Sequence, residues 1–167
     1  MRIWYSCKVK YGKVDEEGVM KQTTEAFLVD ALTYTEAESR IYEAMERDVS
    51  GEFSVNSITK TNIGELLHLE DADYWYKAKV SYSTVDGDSD KEVKVNTYFL
   101  VNAEDLKQAF ERVSESLNTM LVPFEIPSIA KTNIVEVYPY DADEEAIPDN
   151  LTPVSELEEE EVEEEVE

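Results

Sequence analysis

Trp4-Tyr5-Ser6-Cys7-Lys8-Val9-Lys10-Tyr11 and Trp75-Tyr76-Lys77-Ala78-Lys79-Val80-Ser81-Tyr82 align without a gap at an offset of 71. Working outward, Phe27-Leu28-Val29-Asp30-Ala31 returns as Phe99-Leu100-Val101-Asn102-Ala103. Phe53, Ser57-Ile58 and Lys60-Thr61-Asn62-Ile63 return as Phe124, Ser128-Ile129 and Lys131-Thr132-Asn133-Ile134. Blocks in the same order at near-constant spacing mark an internal duplication, and such a repeat dictates the architecture before any local pattern does.

Each copy carries the same succession of periods. Ile3, Tyr5, Cys7, Val9 and Tyr11 alternate with Trp4, Ser6, Lys8 and Lys10, which predicts a strand with one apolar face. Gly12 to Gly18 is a polar turn and Lys21 to Ala31 the returning strand of a hairpin. Thr35 with Glu38 forms a capping-box pattern, and Ala37, Ile41, Ala44 and Met45 follow at helical spacing. A further strand, bent near Gly64, lies within Phe53 to Leu67. After the acidic connector His68 to Asp73 the cycle restarts: strand Tyr74 to Ser83, turn Asp86-Gly87-Asp88, return strand Glu92 to Val101. The second helical stripe is Leu106, Ala109, Phe110, Val113 and Leu117, and the last strand lies within Phe124 to Tyr138. The expected fold is α+β: two tandem β-β-α-β copies, residues 1–68 and 74–140, forming one pseudo-twofold globule with roughly six strands in an antiparallel sheet and two helices on one face. Copies of about 70 residues are marginal alone, which favours a shared core.

Charge is unevenly distributed. Of the formal −24, residues 141–167 contribute fourteen acids and no Lys or Arg, whereas residues 1–140 hold 25 acids against 15 bases. The first of these is expected to be a disordered acidic tail, because its composition buries too little apolar surface to offset ordering entropy. Cys7 is the only cysteine, so an intramolecular disulfide is excluded, and its place in an apolar strand predicts a buried thiol. The N-terminus lacks an apolar signal-peptide core and no stretch is long enough to span a bilayer, so the chain reads as cytoplasmic and without a membrane partner.

Catalytic signatures are sparse. The single histidine, His68, sits at the copy boundary, and no phosphate loop, HExxH or GxSxG occurs. Asp86 to Asp90 resembles the start of a calcium loop, but Lys91 occupies the glycine position and Thr97 the bidentate glutamate position. Neither enzymatic activity, nor a metal, nor a cofactor is expected. One feature stands out. If the apolar side of each first strand faces the helices, the other side displays Trp4, Lys8 and Lys10 in one copy and Trp75, Lys77 and Lys79 in the other, with Lys60 and Lys131 extending the surface. Aromatic faces beside ammonium groups on an open sheet suit single-stranded nucleic acid, with bases stacking on rings and lysines following phosphates. The acidic tail would compete for that face or recruit other proteins, replication or recombination proteins among them. The alternatives are a protein-interaction module, with the tryptophans covered by neighbouring elements or packed into a subunit interface, and an acidic decoy that mimics DNA.

Met1-Arg2-Ile3-Trp4-Tyr5-Ser6-Cys7-Lys8-Val9, together with Phe27-Leu28-Val29-Asp30-Ala31, Glu36-Ala37-Glu38 and Gly51-Glu52-Phe53, resembles an uncharacterised family with a domain of unknown function seen in Bacteroidota and their phages. The resemblance covers nearly all of residues 1–140. It implies a phage or mobile-element context and adds no catalytic residue.

Overall fold

The computed structural model describes residues 1–69 and 72–140; the acidic segment 141–167, and the expectation that it is disordered, lie outside them. The first copy contains β1 (Ile3–Val14), β2 (Met20–Ala31), α1 (Tyr34–Asp48), β3 (Phe53–Lys60) and β4 (Ile63–Leu67). The second contains β5 (Tyr74–Val85), β6 (Glu92–Ala103), α2 (Leu106–Ser116), β7 (Phe124–Lys131) and β8 (Ile134–Tyr138). The fold is α+β, with eight strands in two sheets instead of six in one. Their orders are β3-β1-β2-β8 and β4-β6-β5-β7. Three strands of each sheet come from one copy, and the outer strand beside the hairpin comes from the other.

The exchange happens at the repeated Lys-Thr-Asn-Ile. After β3 has paired antiparallel with β1, the chain leaves the sheet at Thr61-Asn62, two residues before Gly64, and enters the other sheet as β4, parallel to β6. β8 does the converse and runs parallel to β2. Threonine fixes each corner. The Thr61 hydroxyl donates to the Trp4 carbonyl at 2.8 Å and accepts from the Ile63 N–H at 3.4 Å. Thr132 repeats both contacts with Trp75 and Ile134, at 2.9 and 3.3 Å. A β-branched side chain with one donor and two acceptor sites satisfies the backbone groups that the departing strand would otherwise leave unpaired.

The repeated Asp/Asn of the Phe-Leu-Val blocks anchors the far end of each exchanged strand. Asn102 Oδ1 accepts from the Leu69 N–H at 2.7 Å, just past β4, and its amide donates to the Leu69 carbonyl. Across the pseudo-twofold, Asp30 accepts from the Tyr140 N–H at 2.6 Å, just past β8. Arg40 and Arg112, at equivalent positions of the two helices, donate to the backbone carbonyls of Asp30 and Asn102.

Three apolar layers result. α1 packs Ala37, Ile41, Ala44 and Met45 onto Tyr5, Cys7, Val9, Phe27 and Val29. α2 packs Ala109, Val113 and Leu117 onto Tyr76, Ala78, Val80, Phe99 and Val101. Between the sheets, on the faces away from the helices, Trp4, Leu28, Ile134 and Val137 meet Trp75, Leu100, Ile63 and Leu66. Leu28 and Leu100 are fully buried there, each worth about 1.5–3 kcal/mol of burial.

Local details correct two expectations. The N-cap of α1 is Thr33, not Thr35. Thr33 Oγ1 accepts from the Glu36 N–H, while the Glu36 carboxylate accepts from the Leu32 N–H at 2.9 Å and pairs with Arg2. Asp105 and Gln108 repeat the arrangement at α2. The turn at Asp86 is a hairpin turn, its carboxylate accepting from the Asp88 N–H. The second correction concerns α2: Leu106 and Phe110 are 54% and 50% exposed, so its core stripe is only Ala109, Val113 and Leu117.

Asn102→Ala removes the anchor of an exchanged strand and leaves the part-buried peptide groups of Leu69 without their side-chain partner. It is expected to lower stability by about 2–3 kcal/mol, within a single cooperative transition seen in denaturant titration by fluorescence and circular dichroism. Separate transitions for the two copies would contradict the exchanged arrangement.

Candidate binding surface

The sequence places the tryptophans on the face opposite the helices, and there they are. That face is not open. Trp75 is 4% exposed, enclosed by Leu28, Leu100, Ile63 and Val137, with the His68 ring 5.2 Å away. Trp4 is half-buried at the margin of the same layer. The expected stacking platform is therefore closed: the exchanged strands bring the second sheet onto the first, and the rings become its filling.

The lysines divide into groups. Lys60 pairs directly with Tyr5 and Lys131 with Tyr76, so both point to the helix-bearing faces, away from Lys8, Lys10, Lys77 and Lys79. Lys131 Nζ lies 3.7 Å from the centroid of the Tyr74 ring. Lys77 is half-buried, donates to Asn62 Oδ1 at the strand corner and lies 4.8 Å from the Tyr98 centroid; burial lowers its pKa. Lys13, Lys21 and Lys94 form ion pairs with Glu25, Asp15 and Glu125. Lys8 and Lys10 are exposed and Lys79 half-buried, and among the described residues these three have no carboxylate partner. Cys7 is buried in the first helix–sheet core, where desolvation pushes its thiol up to about 12.

A different surface emerges from comparing the copies. Each helix leaves a groove against the bulged outer strand of its sheet. In the first copy it is lined by Tyr34, Glu38, Tyr42, Val55 and Ile58 and has a volume of about 110 Å³. Tyr42 lines it, tilting against Phe53 at 5.7 Å between ring centroids. In the second copy Leu106, Phe110 and Ser114 stand where Tyr34, Glu38 and Tyr42 stand in the first. That groove is lined by Leu106, Lys107, Phe110, Ile126, Pro127 and Ile129, with a volume of about 540 Å³. One groove is small and partly polar; its twin is wide and apolar.

Reading the helical stripe in isolation hid this surface, because Leu106 and Phe110 satisfy the same spacing as core residues. The internal alignment held the signal. A position occupied by Glu38 in one copy is not a core position, so Phe110 at its counterpart has no internal partner to bury it.

The chain belongs to the family defined by a domain of unknown function, DUF4494, whose model matches residues 3–140. No curated protein matches it. The match spans both copies of the duplication. Among the described residues no helix is long and apolar enough to cross a membrane.

Trp75→Ala should empty a large volume between the sheets and lower stability by about 3–5 kcal/mol, measured as a shift of the denaturation midpoint. A variant as stable as the wild type would restore the open face that nucleic-acid stacking needs.

Proposed function

We propose that this chain is a non-enzymatic binding module that holds a protein partner in the groove between α2 and β7. The observation that carries the reading is the divergence of two equivalent grooves within one molecule. The first copy lines its groove with Tyr34, Glu38 and Tyr42, which are exposed but carry polar groups; the second sets the purely apolar Leu106 and Phe110, half in water, beside Ile126 and Ile129. The exposed half of Phe110 gains no folding energy, and covering it on binding yields about 1 kcal/mol, roughly half the worth of full burial. Exposed, contiguous apolar side chains on an otherwise highly charged surface support an interaction site.

A photo-crosslinking residue at position 110 is expected to give a discrete protein adduct in the cells that express the chain. The same residue at position 38 should give none. Adducts from both positions, or from neither, would contradict the assignment.

Single-stranded DNA remains a second reading, favoured by Lys8, Lys10 and Lys79, which have no carboxylate partner among the described residues, with the acidic segment 141–167 weakening the contact. In that case a labelled oligothymidine binds the tail-deleted chain, loses affinity as salt rises, and loses it again in Lys8→Glu with Lys10→Glu. Changes at Phe110 would leave it unaltered. The resemblance of the N-terminal blocks to a family of Bacteroidota and their phages supports a cytoplasmic partner in a phage or mobile-element setting for either reading.

A further inference from the structure

Given a protein partner in the α2–β7 groove, the reading on which this inference rests, the one charge inside the groove selects the occupant. We propose that the groove takes a segment of another protein in which apolar side chains accompany one Asp or Glu, whose carboxylate pairs with Lys107. Lys107 is the one charged residue among those that line the groove, beside Leu106, Phe110, Ile126 and Ile129. The equivalent groove of the first copy has Glu38 as its one charged lining residue. Divergence of the copies has thus exchanged an acid for a base. Phe110 stands in the place of Glu38, and Lys107 in the place of Thr35. Among the described residues Lys107 forms no ion pair. In a chain with 39 acids and 15 bases, a groove that holds a base and no acid is complementary to a carboxylate from outside.

The place of Lys107 in its helix points the same way. It is the second residue of α2, in the first turn, where the aligned peptide dipoles favour acids and disfavour cations. The first copy follows that rule with Glu36 in the first turn of α1, whereas α2 has no acid in its first turn. The N-cap carboxylate, Asp105, accepts from the Gln108 N–H. Lys107 is therefore set against the preference of its own helix, at the end that attracts an incoming anion.

The strand wall narrows the mode of docking. β7 is the outer strand of its sheet, but Ile126 and Pro127 together oppose Val80 alone, forming a bulge whose proline has no N–H to donate. A regular added strand is blocked at that point. The segment consequently docks through its side chains. One base compensates one acid. The chain's own residues 141–167 hold fourteen acids and no base, and a second copy carries −24; a body with 25 acids against 15 bases repels both at long range.

Panning a random-peptide display library on the full chain tests this. Enriched peptides should combine apolar residues with an Asp or Glu and bind more weakly as salt rises. Affinity should drop about tenfold, near 1.4 kcal/mol, in Leu106→Ser with Phe110→Ser, and about threefold in Lys107→Glu. Lys107→Glu puts an acid in the first turn, which the helix favours, so weaker binding does not come from a weaker fold. A circular dichroism spectrum matching wild type checks both variants. Replacing the acid of the peptide by Lys should weaken its binding to wild type and restore its binding to Lys107→Glu. Enriched peptides that need Phe110 but carry no acid, or are indifferent to Lys107→Glu, would overturn the charge rule and leave the groove standing. Peptides indifferent to the serine variant, or no enrichment, would overturn both. Displacement by a synthetic 141–167 peptide, or self-association that needs Phe110, would assign the groove to the chain itself and overturn the proposal.

Discussion

The carbonyl oxygens of Trp4 and Trp75 are the two points on which the molecule turns. Each receives the hydroxyl and the N–H of the threonine where a strand leaves its own sheet. From these corners β4 and β8 cross over, and neither sheet has its fourth strand without them. The apolar layer between the sheets follows from the same geometry, since Ile63 and Ile134 enter it directly after the corner. Two units too small to hold large cores of their own thereby share a third one.

This constraint also settles what surface is left for binding. A sheet with helices on one face ordinarily offers its other face to solvent or ligand. Here the exchange covers the part of that face that holds the tryptophans, which spend their area on folding, and leaves Lys8 and Lys10 exposed on the rest of it. The outer strands β3 and β7 and the flanks of the helices remain. Pseudo-symmetry makes the two remaining grooves equivalent by position, so their difference in side chains reports divergence after duplication. Phe110 against Glu38 is the sharpest instance.

Much of the fold was legible in the sequence. The gapless match of Trp4–Tyr11 to Trp75–Tyr82, the hairpins and the helical stripes fixed the order of elements, and alternation put Trp4 and Lys8 on the face away from α1. The partner of a strand was not legible. A period of two says which side chains share a face, but it does not name the strand alongside or the layer above it. Five-residue strands such as Ile63–Leu67 and Ile134–Tyr138 carry too few alternations to separate a bend from a crossover. For the same reason Trp75 could be assigned a side but not an environment. Leu106 and Phe110 were misassigned because helical spacing alone does not distinguish a core stripe from a wider stripe that continues onto a groove.

The exchange itself is open to direct measurement by native-state amide hydrogen exchange. If β4 and β8 complete the opposite sheets, those of their amides that donate to β6 and β2 open only when the whole molecule unfolds, and their protection matches that of Leu28 and Leu100 in the sheet interiors. Exchange of those ladder amides through low-energy local opening, with the hairpin strands still protected, would show that the sheets stand without the exchanged strands and would contradict the account.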